Sequence, residues 1–191
     1  MIIGITGSSG CGKTTALMTL RQLGGMVLDC DAIYHQLLKE DKALLNAIFL
    51  RFPEANKAGA LDRAALAATV FSDPAALQDL NAITHSAVVK EVKRQLKKEP
   101  ALAAIDAYAL FESGLDALCD VTVAITAPEE MRIKRIMERD QISSQKARQR
   151  LSAQYPQEEV AARCHYTLVN DGTQEEFEAK CLAFWGKLCI M

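Results

Sequence analysis

The sequence predicts an α/β protein, with a five-stranded parallel sheet flanked by helices. Three observations carry this. Short apolar runs bounded by Gly, Asp, Pro or Asn alternate with long helical patterns, the signature of strands buried in a parallel sheet between helical layers. A glycine-dense loop joins the first strand to the first helix. Two stretches between strands, 31–100 and 127–163, are too long for simple crossovers and predict helical insertions.

Taken in order, IIGIT (2–6), MVLD (26–29), LAAIDAY (102–108), VTVAIT (121–126) and YTLVN (166–170) read as buried strands. A helix over about 13–23 follows the first. Residues 31–100 read as four helices without a strand, with Asp62 and either Ser72 or Asp73 as N-caps. An amphipathic pattern runs from Pro74 to Lys98 until Pro100 stops it. Ala127-Pro128-Glu129-Glu130 opens the second insertion, with acids in the first turn of a helix. Phe177, Leu182 and Trp185 read as the packing face of the last helix.

Composition narrows the function classes. Half of the 191 residues are apolar, 24% are charged and the net charge is −2, so no global field gathers nucleic acid. No apolar run approaches the roughly 18 residues that span a bilayer, and the start lacks a basic n-region. The six cysteines (11, 30, 119, 164, 181 and 189) include no C-x-x-C pair, which disfavours a disulfide framework or zinc site and predicts a reduced, cytoplasmic chain. One local imbalance stands out: 128–154 carries seven basic residues (132, 134, 135, 139, 146, 148, 150) against four acidic ones (129, 130, 138, 140). Arg132, Arg135 and Arg139, spaced by three and four, share one helix face, suited to a lid over polyphosphate.

Gly7-x-x-x-x-Gly12-Lys13-Thr14 fits the phosphate-loop pattern between a strand and a helix. Glycines let successive N–H groups curl around an oxyanion, and the helix N-terminus adds positive potential. Lys13 then serves the β- and γ-phosphates and the Thr14 hydroxyl serves Mg²⁺. Cys11 inside this loop is expected to have a lowered thiol pKa, as helix N-termini impose, the alternative being a plain small residue with no role for its thiol. No base-reading N/T-K-x-D and no D-x-x-G switch follows, which disfavours a signalling GTPase. Asp29 and Asp31 stand at the end of a strand, where open α/β sheets bind ligands, and would point the same way if the strand continued. One could serve Mg²⁺ and the other an acceptor hydroxyl, or one is the cap of the next helix. Asp106 ends a strand where a further carboxylate could support the metal. A compact core with one large helical insertion and one basic insertion points to a small-molecule kinase. The alternatives are a nucleoside-monophosphate type of acceptor and a nucleotide-binding regulator without turnover.

The chain resembles the dephospho-CoA kinase family over nearly its whole length. The residues that carry this are Thr6-Gly7 through Thr15, Leu23-Gly24, Asp29-Cys30-Asp31, Leu61-Asp62-Arg63, Val70-Phe71, Leu80-Asn81 with His85, Leu110-Phe111-Glu112-Ser113-Gly114-Leu115, Arg135 with Arg139-Asp140, and Asn170-Asp171-Gly172. The resemblance implies ATP-dependent phosphorylation of the ribose 3′-hydroxyl of dephospho-CoA, the final step of coenzyme A biosynthesis. It implies a nucleotide core (1–30, 101–127, 164–191), a helical acceptor domain (31–100) and a lid (128–163). Asp31 would be the general base, Lys13 the phosphate clamp, and Arg139 would reach over the transferring phosphate. ATP would be held by Gly7, Ser8, Ser9, Gly10, Cys11, Gly12, Lys13, Thr14, Thr15 and Asn170. The acceptor would be held by Asp31, Arg63, His85, Phe111 and Glu112, and Mg²⁺ by Thr14, Asp29 and Asp106. A monomer without nucleic-acid or membrane partners is expected. The chain departs from the family pattern at Tyr108, where proline is common, and at Ser86, Val160 and Cys164-His165, positions that bear on substrate contacts rather than on the reaction.

Overall fold

The computed structural model of the chain describes residues 1–188; Cys189 lies outside them. Among these residues the order is β1 (Ile2–Thr6), α1 (Lys13–Gln22), β2 (Met26–Asp29), α2 (Cys30–Glu40), α3 (Lys42–Arg51), β3 (Asn56–Lys57), β4 (Ala60–Leu61), α4 (Arg63–Ser72), α5 (Pro74–Leu96), β5 (Ala103–Asp106), β6 (Val121–Thr126), α6 (Glu129–Asp140), α7 (Ser144–Ser152), α8 (Gln157–Ala162), β7 (Tyr166–Val169) and α9 (Gln174–Leu188). The chain divides into two compact units, Met1–Leu28 with the chain from Glu99 onward, and Asp29–Lys98.

The first unit is built on a parallel five-stranded sheet in the order β2-β5-β1-β6-β7. β1 lies between β5 and β6, with Ile5 opposite Asp106 and Val123. Ile3, Ile5, Ile105, Val123 and Ile125 are fully buried, as a central strand covered on both faces requires. The edges differ from the expectation of five buried strands. β7 buries Leu168 but not Tyr166, Thr167 or Val169, and β2 fully buries only Leu28, because an edge strand has one neighbour and less cover. The LAAIDAY run contributes a strand only over Ala103–Asp106. Helices α1 and α9 cover the core cluster of Ile3, Ile5, Leu17, Leu20, Phe177 and Trp185. The buried indole N–H of Trp185 donates to Thr19 Oγ1 at 2.9 Å, which satisfies the polar edge of the ring. Leu182, expected on this face, is 37% exposed. The buried stripe runs 177, 181, 185 and 188, at helical spacing, and 182 falls outside it.

The second unit is helical, and each of its four helices is started by an aspartate whose side chain accepts from the first turn: Asp29 for α2, Asp41 for α3, Asp62 for α4 and Asp73 for α5. Asp73, rather than Ser72, is therefore the cap; Ser72 ends α4. The core joins Leu44, Ile48, Phe52, Leu66, Val70 and Leu80. The expectation of no strand is corrected by the β3–β4 hairpin, Asn56 opposite Leu61. Ala58 and Gly59 both take positive φ (54° and 88°), and Asn56 Oδ1 accepts from Gly59 N at 2.8 Å. That pair of left-handed residues makes a tight two-residue turn. Strands of two residues are too short to leave a period in the sequence.

Candidate functional site

The phosphate loop leaves the C-terminal end of β1 and ends in α1. Gly10 and Gly12 have φ of +77° and +102°, conformations other residues rarely adopt. A Cβ at Gly10 would approach the Arg132 carbonyl oxygen to 2.8 Å, and one at Gly12 would run into the Asn170 side chain. Lys13 Nζ donates to Gly7 O at 2.8 Å, so the ammonium lies across the loop. Thr14, in the first turn of α1, is exposed, and Thr15 is half-buried. Ser8 Oγ is buried and has no hydrogen-bond partner among the described residues. An orphaned hydroxyl in a loop of left-handed glycines with an ammonium across it is suited to a phosphate, whose oxygens supply the missing partner.

Cys11 departs from expectation. It is 1% exposed, and burial pushes its thiol pKa up, against the opposing pull of Lys13 and Arg132. Desolvation of the thiolate outweighs the favourable potential of the helix terminus here. Cys11 is thus a packed loop residue, its carbonyl accepting from Asn170, and not an activated thiol.

Helix α6 and the segment after α7 brace the loop from outside. Arg132 is 7% exposed, and its Nε donates to Ser9 O at 3.2 Å. Arg135 donates from Nη1 to Gly10 O at 3.2 Å and from Nη2 to Asn170 Oδ1 at 3.1 Å. Asn170, just past β7, donates from Nδ2 to Cys11 O at 2.9 Å and is buried. It was expected among the ATP-binding residues; it holds the loop's backbone instead of facing outward. Gln154 contacts Ser9 twice, accepting from the Ser9 amide at 3.0 Å and donating to Ser9 Oγ at 2.9 Å. The stripe at 132, 135 and 139 was readable from spacing; Gln154 left no signal, since its partner stands 145 residues away.

Arg139 is not gathered at the loop. Its Nε and Nη2 donate to the Asp140 carboxylate at 2.7 and 2.9 Å, and Arg150 pairs with the same carboxylate. Arg139 is exposed, 60% by side chain. The bonds from Arg139 and the nearby Arg150 hold the Asp140 carboxyl below its usual range.

The carboxylates are placed unevenly. β2 ends at Asp29 and α2 starts at Cys30, so the strand does not continue and the alternation expected for Asp29 and Asp31 does not apply. Asp29 is the cap, its Oδ1 accepting from Ala32 N at 2.9 Å, while Asp31 lies exposed in the first turn of α2. Asp106 ends β5 beside β1. Phe111 and Glu112 are both held by Arg163, whose guanidinium carbon lies 4.2 Å from the Phe111 ring centre and whose Nη1 donates to Glu112 Oε1 at 2.6 Å. In the second unit, Arg63 and Tyr34 border a cleft of about 180 Å³ whose floor includes Leu38, Leu66, Val70 and Leu80. Burial raises the Tyr34 pKa, and the Arg63 charge opposes it. His85 is half-buried on α5.

Among the described residues, no group of three or more His, Cys, Asp or Glu side chains could cage a metal ion.

Comparison with known proteins agrees with this loop. The family model described as dephospho-CoA kinase matches residues 1–176. The dephospho-CoA kinase of Syntrophotalea carbinolica is 34% identical, covering 98% of this chain and 92% of its own. That of Thermus thermophilus is 37% identical, with the same coverage. A Thermus thermophilus crystal structure superposes with a TM-score of 0.82 at 36% identity, over 98% of this chain and 97% of that one. With a phosphate loop at the sheet's centre and relatives matched along nearly the entire chain, the protein belongs to the dephospho-CoA kinase family, enzymes that phosphorylate dephospho-CoA with ATP to complete coenzyme A.

Proposed function

We propose how the residues divide this reaction. ATP lies with its phosphates in Gly7–Thr15. The observation that carries this is the unpartnered, buried Ser8 hydroxyl within a loop whose glycines hold left-handed conformations. Lys13 offsets charge on the β- and γ-phosphates. Thr14, with Asp106 or Asp29, holds Mg²⁺, which when bound neutralises phosphate charge.

Asp31 accepts the proton of the ribose 3′-hydroxyl. Its exposure and its freedom from the capping role that Asp29 fills support this. Arg139 neutralises the transferring phosphoryl group. Arg132 and Arg135 are committed to the loop's carbonyls, whereas Arg139 holds a solvated ion pair with Asp140, and such pairs contribute little to the fold. Residues 128–163 act as the lid, and the unit Asp29–Lys98 binds the acceptor through Arg63 and His85. The enzyme works as a cytoplasmic monomer on small molecules alone. No helix of the described residues is long and apolar enough to cross a membrane.

A coupled assay of ADP release with dephospho-CoA, nucleoside monophosphates and no acceptor tests the scheme. Release that depends on dephospho-CoA alone is expected. Equal release with a monophosphate would reassign the acceptor, and binding without release in any arm would leave a nucleotide-binding regulator.

A further inference from the structure

We propose that Gln154 is a positioning residue for ATP, acting by orienting the Ser9 hydroxyl as a hydrogen-bond donor to phosphate. The inference rests on the reading that Gly7–Thr15 holds ATP, and adds a residue outside the loop to that site.

The chemistry follows from which groups can donate. A peptide N–H cannot accept, so the bond from Ser9 N at 3.0 Å fixes the carboxamide oxygen of Gln154 against it. The carboxamide nitrogen is then forced onto Ser9 Oγ, at 2.9 Å, as the donor. Ser9 Oγ therefore accepts from Gln154, and its own proton remains for another acceptor. The third polar group of Ser9, its carbonyl, takes the Arg132 Nε proton. Ser9 is thus held at its amide, carbonyl and hydroxyl oxygen, with the hydroxyl proton left to give.

The clamp itself is anchored. Tyr155 N donates to Tyr108 Oη at 3.1 Å, and the two rings stack 6.3 Å apart. The Gln157 carboxamide accepts from Ala127 N at 3.3 Å and donates to Ala127 O at 3.1 Å, tying the start of α8 to the end of β6. A side chain carried on so fixed a segment can impose orientation on a loop that glycines leave permissive.

The test uses Gln154→Met, which fills similar space without either hydrogen bond, in the full-length enzyme. The KM for ATP should rise about tenfold, as loss of one hydrogen bond to a charged group implies. The KM for dephospho-CoA and the Tm should stay unchanged. In a Ser9→Ala background, Gln154→Met should add much less than it costs alone, because the effect passes through the Ser9 hydroxyl. An unchanged KM for ATP would overturn the proposal, and so would parallel rises in both KM values with a lowered Tm, which would assign Gln154 to packing. Binding of a fluorescent ATP analogue separates the two readings. A wild-type enzyme that binds none loses the loop assignment and the clamp with it; equally tight binding by wild type and Gln154→Met loses the clamp alone.

Discussion

The phosphate loop and the helical unit Asp29–Lys98 are held together by opposite means. The loop's backbone is fixed by side chains far away in sequence: Arg132, Arg135, Gln154 and Asn170 reach Ser9, Gly10 and Cys11 across 123 to 159 residues. The helical unit is fixed locally, each helix started by an aspartate within three residues of the amides it caps, over an apolar core of its own. The difference teaches where each region is vulnerable. A polar deletion far from the loop in sequence should disturb the loop. The helical unit should tolerate the loss of any one cap, since each contributes about 1 kcal/mol.

The largest effect sharpens this contrast within one helix. Arg139→Ala should lower kcat by about 10³-fold, the scale of an arginine supplied to a phosphoryl-transfer transition state. The Tm should barely move, because Arg139 is exposed and its ion pair is solvated. Arg132→Ala should show the reverse emphasis, with a clear loss of Tm, since it empties a buried site on the Ser9 carbonyl. Parallel kinetic and thermal measurements decide; an Arg139→Ala enzyme with full turnover and a lowered Tm would make Arg139 structural.

Next in size is Asp31→Asn. Asparagine keeps the shape but cannot take a proton, so kcat should fall about 10²-fold, the usual contribution of a general base. ATP binding and fold should persist, and KM should not rise in proportion. Turnover within a few-fold of wild type for Asp31→Asn, with Asp29→Asn inactive, would transfer the role to the capping carboxylate.

These two residues also show how far the sequence could be read. The loop, the central strands and the four helices of 31–100 were legible because their signals are local: a glycine spacing, an apolar run, a helical period. The partition of duties between Asp29 and Asp31 was not, because it turns on whether β2 ends at 29 or runs on, a matter of one residue that composition does not register. Asn170 was visible as part of a motif, but its direction, toward the Cys11 carbonyl, is a tertiary fact. The Cys11 thiol was misjudged because potential at a helix terminus can be read from position, whereas burial cannot.

A stability pair tests the opening contrast directly. Asn170→Ala removes the donor from the buried Cys11 carbonyl and one partner of Arg135, at about 2 kcal/mol. For a chain of this size that lowers Tm by roughly 4–8 °C. Asp41→Ala, a cap in the helical unit, should lower it by only about 2–4 °C. Thermal melts of the two variants with the order reversed would show that local caps, not remote braces, limit stability.

The smallest effect concerns alkaline pH and the first unit alone. Burial pushes the Cys119 thiol up to about 12 and that of Cys181 up to about 11, from an ordinary value of 9.0, and it raises Cys11 as well. The folded chain therefore keeps these protons where the unfolded chain releases them. A group whose folded pKa is raised contributes stability that is complete below its unfolded value and is lost as pH rises through the folded one. The Tm should accordingly be flat with respect to these thiols up to about pH 9 and decline from there toward pH 11–12. Cys181→Ala removes one of these protons and should reduce the slope above pH 9 while leaving neutral turnover unchanged, because Cys181, on α9, is buried in the core cluster and takes no part in the site. An unaltered alkaline slope in Cys181→Ala would mean that its thiol ionises alike in both states, and that the burial seen in the core does not govern its chemistry.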